Sequence, residues 1–329
     1  MPLFSRRCFR LAVAVGALVL AFVTILSPSG ASSQTAQPIK LVVPFPAGGS
    51  SDTLARLLTD QMSRAHGSTF IVENRPGAGA VIGYDAVSRA APDGHTLMIN
   101  APSFLINPHL RKVDYDPLSD FEPICNLVRV PLVLAVSGAS PYRTIADLLA
   151  AARSKPGELS IASGGTGTIQ HIAFEMLKRS AGVNVVYVPF SGNPPAVNAL
   201  LGGHVTAVIS NYENVADQVN AGKLRALATT ARTRIESLPQ VPTVSEIGYK
   251  DYEADNWFGL MAPAKTPKEL IAQFTDWAKA AMLAPDVKTK LINLALYPIG
   301  MCGADFAAYL RKQHEDYGRL IRDAKMKAQ

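Results

Sequence analysis

Pro44-Phe45-Pro46-Ala47-Gly48-Gly49-Ser50-Ser51-Asp52 is the stretch on which the reading of this chain turns. The apolar run before it, Ile39–Phe45, reads as a buried strand. After it, Asp52–Ala65 carries Leu54, Leu57, Leu58 and Met62 at helical spacing. The segment is therefore a strand-to-helix turn. Its glycines let the backbone turn tightly and approach a ligand closely. The helix it opens presents unpaired N–H groups and a positive dipole end, where an anion gains roughly 0.3–2 kcal/mol. A plain tight turn, with Ser51 or Asp52 acting only as N-cap, fits the same residues.

A second turn of this kind, Ser163-Gly164-Gly165-Thr166-Gly167-Thr168, follows another strand pattern, Leu159–Ala162. It opens the helix pattern Ile169–Ala181. Read jointly, the two turns offer backbone N–H groups to one carboxylate held between them. Short apolar runs alternate with amphipathic helices along the whole chain, which is the pattern of α/β layers. Thr144 followed by Asp147 marks a capping box at one helix start. Pro102–Asp120 reads as irregular and Val128–Val136 as one long strand. No Gly/Ser linker divides the chain, so the expected domains are joined by strands crossing near 130–137 and 257–262. One domain is then 38–135 plus 260–329 and the other 136–259, consistent with a length of 329 residues.

Arg6, Arg7 and Arg10 precede an apolar run from Leu11 to Leu26, and Ser27–Ser33 is rich in small residues. This is the pattern of a secretory signal peptide over 1–33. The apolar run of about 16 residues falls short of the ~20 that a membrane-spanning anchor needs. Ser5-Arg6-Arg7-Cys8-Phe9 also resembles a twin-arginine motif, which leaves the export route between Sec and twin-arginine open. Without this leader the net charge falls from +6 to +3, because three arginines and no acid are lost. The basic character that would suggest nucleic acid therefore belongs largely to the leader. Export permits Cys125 and Cys302 to pair, and nothing in the sequence decides whether they meet.

Catalytic and metal motifs are missing from the sequence. There is no GxSxG, HExxH, CxxC or GxxxxGK[ST], and the six histidines lack metal spacing. Gly77-Ala78-Gly79-Ala80-Val81-Ile82-Gly83 looks like a dinucleotide fingerprint at first sight. Glu73-Asn74-Arg75-Pro76 separates it from the preceding strand, and no acidic residue closes the next one. No cofactor and no metal is expected. Asp52, His171 and Ser210 are the only candidates for a base or nucleophile, and His171 serves equally well as a helix-start residue.

Many segments in one order give the chain a wider resemblance. They are the first turn, Glu73-Asn74-Arg75-Pro76-Gly77-Ala78-Gly79, Pro92-Asp93-Gly94-His95-Thr96-Leu97 and Asp116-Pro117-Leu118-Ser119-Asp120-Phe121. Lys155-Pro156-Gly157-Glu158-Leu159, Gly165-Thr166-Gly167-Thr168-Ile169-Gln170-His171, Val188-Pro189-Phe190-Ser191-Gly192 and Ala221-Gly222-Lys223-Leu224-Arg225-Ala226-Leu227-Ala228 continue it. Over nearly all of 36–325 the chain resembles the solute-binding receptors of tripartite tricarboxylate transporters, the Bug family of extracytoplasmic receptors.

The resemblance implies a periplasmic-binding-protein fold, type II-like, with two α/β domains closing around a cleft like a flytrap. It implies a monomeric periplasmic receptor, not an enzyme, that captures a small organic acid for the membrane permease subunits of such a transporter. Nucleic acid is not an expected partner. A ligand sensor for a membrane signalling partner is the alternative, and an exported enzyme acting on a small acid is the other. Carried over by motif, the ligand-binding residues are Phe45, Pro46, Ala47, Gly48, Gly49, Ser51 and Asp52 in the first turn. In the second they are Ser163, Gly165, Thr166, Gly167, Thr168 and His171. Ser210 stands where the family often has an acid, which disfavours a ligand whose amino group needs a carboxylate partner.

Overall fold

A computed structural model describes residues 37–250 and 252–326. The leader expected over 1–33 lies outside the described residues. The chain begins with β1 (Ile39–Val43), α1 (Ser50–His66), β2 (Phe70–Asn74), α2 (Val81–Ser88), β3 (Thr96–Asn100) and α3 (Ser103–Leu110). Two strands follow in succession, β4 (Phe121–Val130) and β5 (Leu132–Ser137). Then come α4 (Ile145–Ser154), β6 (Ser160–Ser163), α5 (Ile169–Ala181), β7 (Val186–Pro189), α6 (Asn193–Leu201) and β8 (Ala207–Asn211). The chain continues with α7 (Ala216–Asn220), β9 (Leu224–Thr229) and β10 (Asn256–Pro263). It ends with α8 (Lys268–Leu283), α9 (Pro285–Asn293), β11 (Tyr297–Cys302) and α10 (Ala304–Asp323).

Two sheets organise these elements. The first has six strands in the order β11-β4-β10-β3-β1-β2, and the second has five in the order β7-β6-β8-β5-β9. β1 runs parallel to β2 and β3, and β6 runs parallel to β7 and β8. In these parallel parts each strand feeds a helix through a turn at its carboxyl end, the position where open α/β sheets bind ligands. The chain leaves the first sheet at Pro131 and returns between Thr229 and Asn256.

Pro131 also explains why Val128–Val136 is two strands. It has no N–H to give to a ladder, so β4 ends before it and β5 begins after it in the other sheet. The stretch expected to be irregular contains α3, whose Pro102 start and internal Pro108 disguise it. Pro108 cannot donate to the carbonyl of Phe104, and the Tyr115 hydroxyl donates to that carbonyl instead, at 3.2 Å. The capping box at Thr144 forms as the sequence indicates. Its hydroxyl accepts from Asp147 N–H at 3.1 Å, and the Asp147 carboxylate accepts from Thr144 N–H at 2.9 Å.

Leu54, Leu58 and Met62 of α1 are buried against β1, and Leu57 packs half-buried beside them. Cys125 of β4 and Cys302 of β11 are cross-strand partners and form a disulfide. The bridge spans 177 residues of sequence and ties the C-terminal strand to the middle of the chain. A cross-link closing so long a loop restricts the unfolded chain by up to about 5 kcal/mol in the chain-entropy model. Reduction, or the pair Cys125→Ala and Cys302→Ala, is expected to lower the urea midpoint substantially. Equilibrium unfolding with and without reductant measures this, and an unchanged midpoint would refute it.

Candidate functional site

The first glycine-rich turn leaves β1 and enters α1 through Gly49, whose backbone is extended (φ −88°, ψ 173°) and which supplies no side-chain cap. The turn is braced from below by Asp52. Its carboxylate accepts from Gly48 N–H, from Asn74 Nδ2 and from both Nε and Nη2 of Arg56, each at 3.0 Å. Burial alone would raise the pKa of this carboxyl. The bonds from Arg56, Gly48 and Asn74 outweigh it and hold the group below the ordinary aspartate value. The N–H of Gly48 is thus spent inside the turn. The first backbone bond of α1 runs from Thr53 N–H to the Gly49 carbonyl at 3.0 Å, so the N–H groups of Ser50, Ser51 and Asp52 precede the helical ladder.

The second turn is braced by a threonine. Thr168 Oγ1 donates to the Gly165 carbonyl at 2.7 Å and accepts from His171 N–H at 3.4 Å. Ile172 N–H begins the ladder of α5 at the Thr168 carbonyl, at 3.2 Å. The N–H groups of Ile169 and Gln170 come before it. Both turns therefore use a side chain at one donor and leave the donors at the helix mouth free of the helix.

These two mouths line one cavity of about 40 Å³, and two further helix starts line it as well. They are Pro102-Ser103 at α3 and Gly192-Asn193-Pro194 at α6. Two of the four helices belong to the first sheet and two to the second. Phe45 and Phe258 form apolar wall, and the remaining side chains of the wall are neutral. Among the described residues no Asp, Glu, Lys, Arg or His lines it. What favours an anion there is the dipoles of the helix starts.

Asn211 is the polar hub of the wall. Its Oδ1 accepts from Gln170 Nε2 at 2.9 Å and from Asn256 Nδ2 at 3.1 Å, and its Nδ2 donates to Ser50 Oγ at 2.8 Å. The Ser50 hydroxyl donates onward to the Glu213 carboxylate. Burial pushes Glu213 up to about 7, against the opposing effect of the Ser50 bond. This network joins residues of both sheets across the cleft.

Of the residues picked out by motif, Phe45, Pro46, Gly49, Ser51 and Thr168 line the cavity. Ala47, Gly48, Asp52, Ser163, Gly165, Thr166, Gly167, His171 and Ser210 stand outside its wall. Ser163 shares a 2.6 Å hydrogen bond with the Tyr187 hydroxyl. His171 is buried and stacked on Tyr187 with centroids 4.5 Å apart. Burial, with Arg111 and Lys178 nearby, lowers its pKa to about 4, so it is neutral at pH 7. Ser210 points away from the cavity, and its neighbour Asn211 faces it, as alternation along a strand requires. Sequence reading did not single out Ser50, Ser103, Gln170, Asn193, Asn211 or Asn256. Gln170 and Asn193 lie at helix starts, where the patterns for Ile169–Ala181 and for α6 give a signal.

Two sheets with a cleft of helix mouths between them define a solute-binding protein of the periplasmic class. The structure of the periplasmic binding protein BugD matches with a TM-score of 0.85 and 33% identity, covering 89% of this chain and 99% of that one. That of R. palustris Rpa4515 with adipate matches with a TM-score of 0.86 and 30% identity, over the same shares of the two chains. BugT of Bordetella pertussis is 36% identical over 262 residues, 79% of this chain and 80% of that protein. The model of the tripartite tricarboxylate transporter family receptor matches residues 54–326. The chain belongs to that family, which is one of periplasmic receptors and not of enzymes.

Asp52 ties the first turn to α1, and its depressed pKa fixes the sign of a pH effect. Its contribution is present above about pH 4, the ordinary aspartate range, and is lost as pH falls through the lower folded value. Asp52→Asn is expected to cost about 1–3 kcal/mol at pH 7 and to flatten the acid limb of stability. Urea unfolding of both proteins between about pH 2 and about pH 7, on either side of that range, reads both effects. Parallel acid limbs would contradict the assignment.

Proposed function

We propose that this chain captures a small organic carboxylate in the cleft through backbone N–H groups at the mouths of α1 and α5, assisted by the helix dipoles of α3 and α6. The carrying observation is that four helix starts converge on one cavity whose wall, among the described residues, holds no charged side chain. An anion there gains from every dipole, and no buried cation has to be left unpaired when it departs. The adipate in the Rpa4515 structure supports the ligand class. Delivery to the permease subunits of a tripartite tricarboxylate-type transporter follows from the family. Export through the 1–33 leader, by Sec or twin-arginine, would put the receptor in the periplasm.

The lobes, expected from sequence at 38–135 plus 260–329 and 136–259, would hinge at Pro131 and between Thr229 and Asn256, where the chain changes sheet. Gly48, Asp52, Gly165 and Gly167, outside the wall, act with Thr168, on it, by shaping the turns and so set the direction of the donors. Neutral Asn211, the strand-end residue that faces the cavity, leaves an α-amino group without a carboxylate partner, so aspartate and glutamate are poor ligands.

A thermal-shift panel of mono-, di- and tricarboxylates tests this. A true ligand at about 100 times its Kd stabilises by about 2.7 kcal/mol. Gly164→Val is the better cavity-filling variant, because Gly48 and Gly165 have positive φ (81° and 117°) and a branched residue there would strain the backbone as well. A Cβ at Gly164 meets Asn193 Oδ1 at 2.7 Å on the cavity wall. The variant is expected to lose about ten-fold or more in affinity while keeping its unliganded melting temperature within a few degrees. Unchanged affinity, or a co-crystal with the acid away from the four helix mouths, would sink the reading.

A further inference from the structure

The segment Gly77-Ala78-Gly79-Ala80 resembles a nucleotide loop in sequence, and the structure gives it a different setting. Ala78, Gly79 and Ala80 have successive positive φ values of 49°, 66° and 80°. Two non-glycine residues in that region store strain that surrounding contacts must hold in place. The contacts come from Asn107 and from the other half of the molecule. Asn107 is fully buried, and its Nδ2 donates to the Gly79 carbonyl at 2.8 Å and to the Ser103 carbonyl at 2.8 Å. A Cβ at Gly79 would lie 2.5 Å from the Thr166 carbonyl oxygen. A Cβ at Gly167 would lie 2.4 Å from Asn107 Oδ1. Arg111 spans the junction, donating to the Ala78 and Thr166 carbonyls at 3.4 Å each.

We propose that this left-handed turn is the seat on which the second glycine-rich turn docks when the cleft closes, with Gly79, Asn107 and Gly167 as positioning residues at the seam. The proposal rests on the reading of the cleft as a ligand site that opens and closes. Glycine at 79 and 167 is then required for closure and not for folding of either half. The obstacle at Gly79 is a backbone oxygen, which cannot swing aside as a side chain would. The seam also has a bearing on binding. It fixes the turn containing Gly165 and Gly167 against the element whose Ser103 end lines the cavity.

A matched pair of variants separates closure from strain. Gly182, at the end of α5, has nearly the same backbone as Gly79 (φ 61°, ψ 39° against φ 66°, ψ 37°), and a Cβ there meets nothing within 4 Å. Gly79→Ala and Gly182→Ala should therefore lower the melting temperature alike. Single-molecule FRET, between dyes on genetically encoded azido residues at exposed Ala65 and Lys155, reads the separation of the halves. The wild type and Gly182→Ala are expected to share a short-distance population that Gly79→Ala reduces about ten-fold or more. Survival of that population in Gly79→Ala, an equal loss in Gly182→Ala, or its lack in the wild type would each overturn the proposal. Carboxylates that fail to shift the wild-type melting temperature would count against the ligand reading instead, and the FRET comparison decides the seam without any ligand.

Discussion

A helix leaves its first N–H groups without partners, and this protein turns that obligation into its binding surface. Four such starts face one small cavity, two from each sheet. Placing four positive dipole ends together is unfavourable unless something negative or strongly accepting lies between them. At the mouths of α1 and α5 side chains take only one donor each, Asp52 accepting from Gly48 N–H and the Thr168 hydroxyl from His171 N–H, while α6 carries Pro194 and Pro195 in its first turn and contributes its dipole. The arrangement is therefore poised for an anion by geometry, and the glycine-rich turns follow from the need to aim helices at a common point.

The sheet topology explains how the aim is achieved. In a parallel array every strand ends at the same side, so the turns after β1, β3, β6 and β7 all emerge toward the cleft. The antiparallel strands do a different job. β4 and β5 are joined by one proline residue across two sheets, and β9 and β10 are joined by a long irregular passage. The disulfide ties β11 back to β4, so the C-terminal helix is held to the first sheet after the chain has built the second.

What the sequence made legible was local chemistry. The capping box at Thr144, the helix Ile169–Ala181 and the two glycine turns each rest on residues close together in the chain. Their signals survive folding because neighbours in sequence are already neighbours in space. α3 was hidden because two prolines read as breakers, and its freed carbonyl is rescued by Tyr115, a partner outside the helix. β11 was missed for a similar reason, since its pairing with β4 is decided by chain far upstream. Asn211 and Asn256 illustrate the limit at the site. Each is an ordinary polar residue at a strand end, and only the strand order brings them together over Ser50 and Gln170.

The glycines show why residue type alone misleads about role. Gly49 and Gly164 sit on the cavity wall, and Gly48 has a positive φ with open space where a Cβ would go. Gly79 and Gly167 also have positive φ, but both face atoms of another segment at distances no Cβ tolerates. In sequence all of these look like phosphate- or carboxylate-cradling loops. In space they divide into turns that free N–H donors and turns that let two backbones touch. A motif rich in glycine therefore specifies closeness of approach, and what approaches (a ligand or another part of the same chain) is set by the surrounding fold.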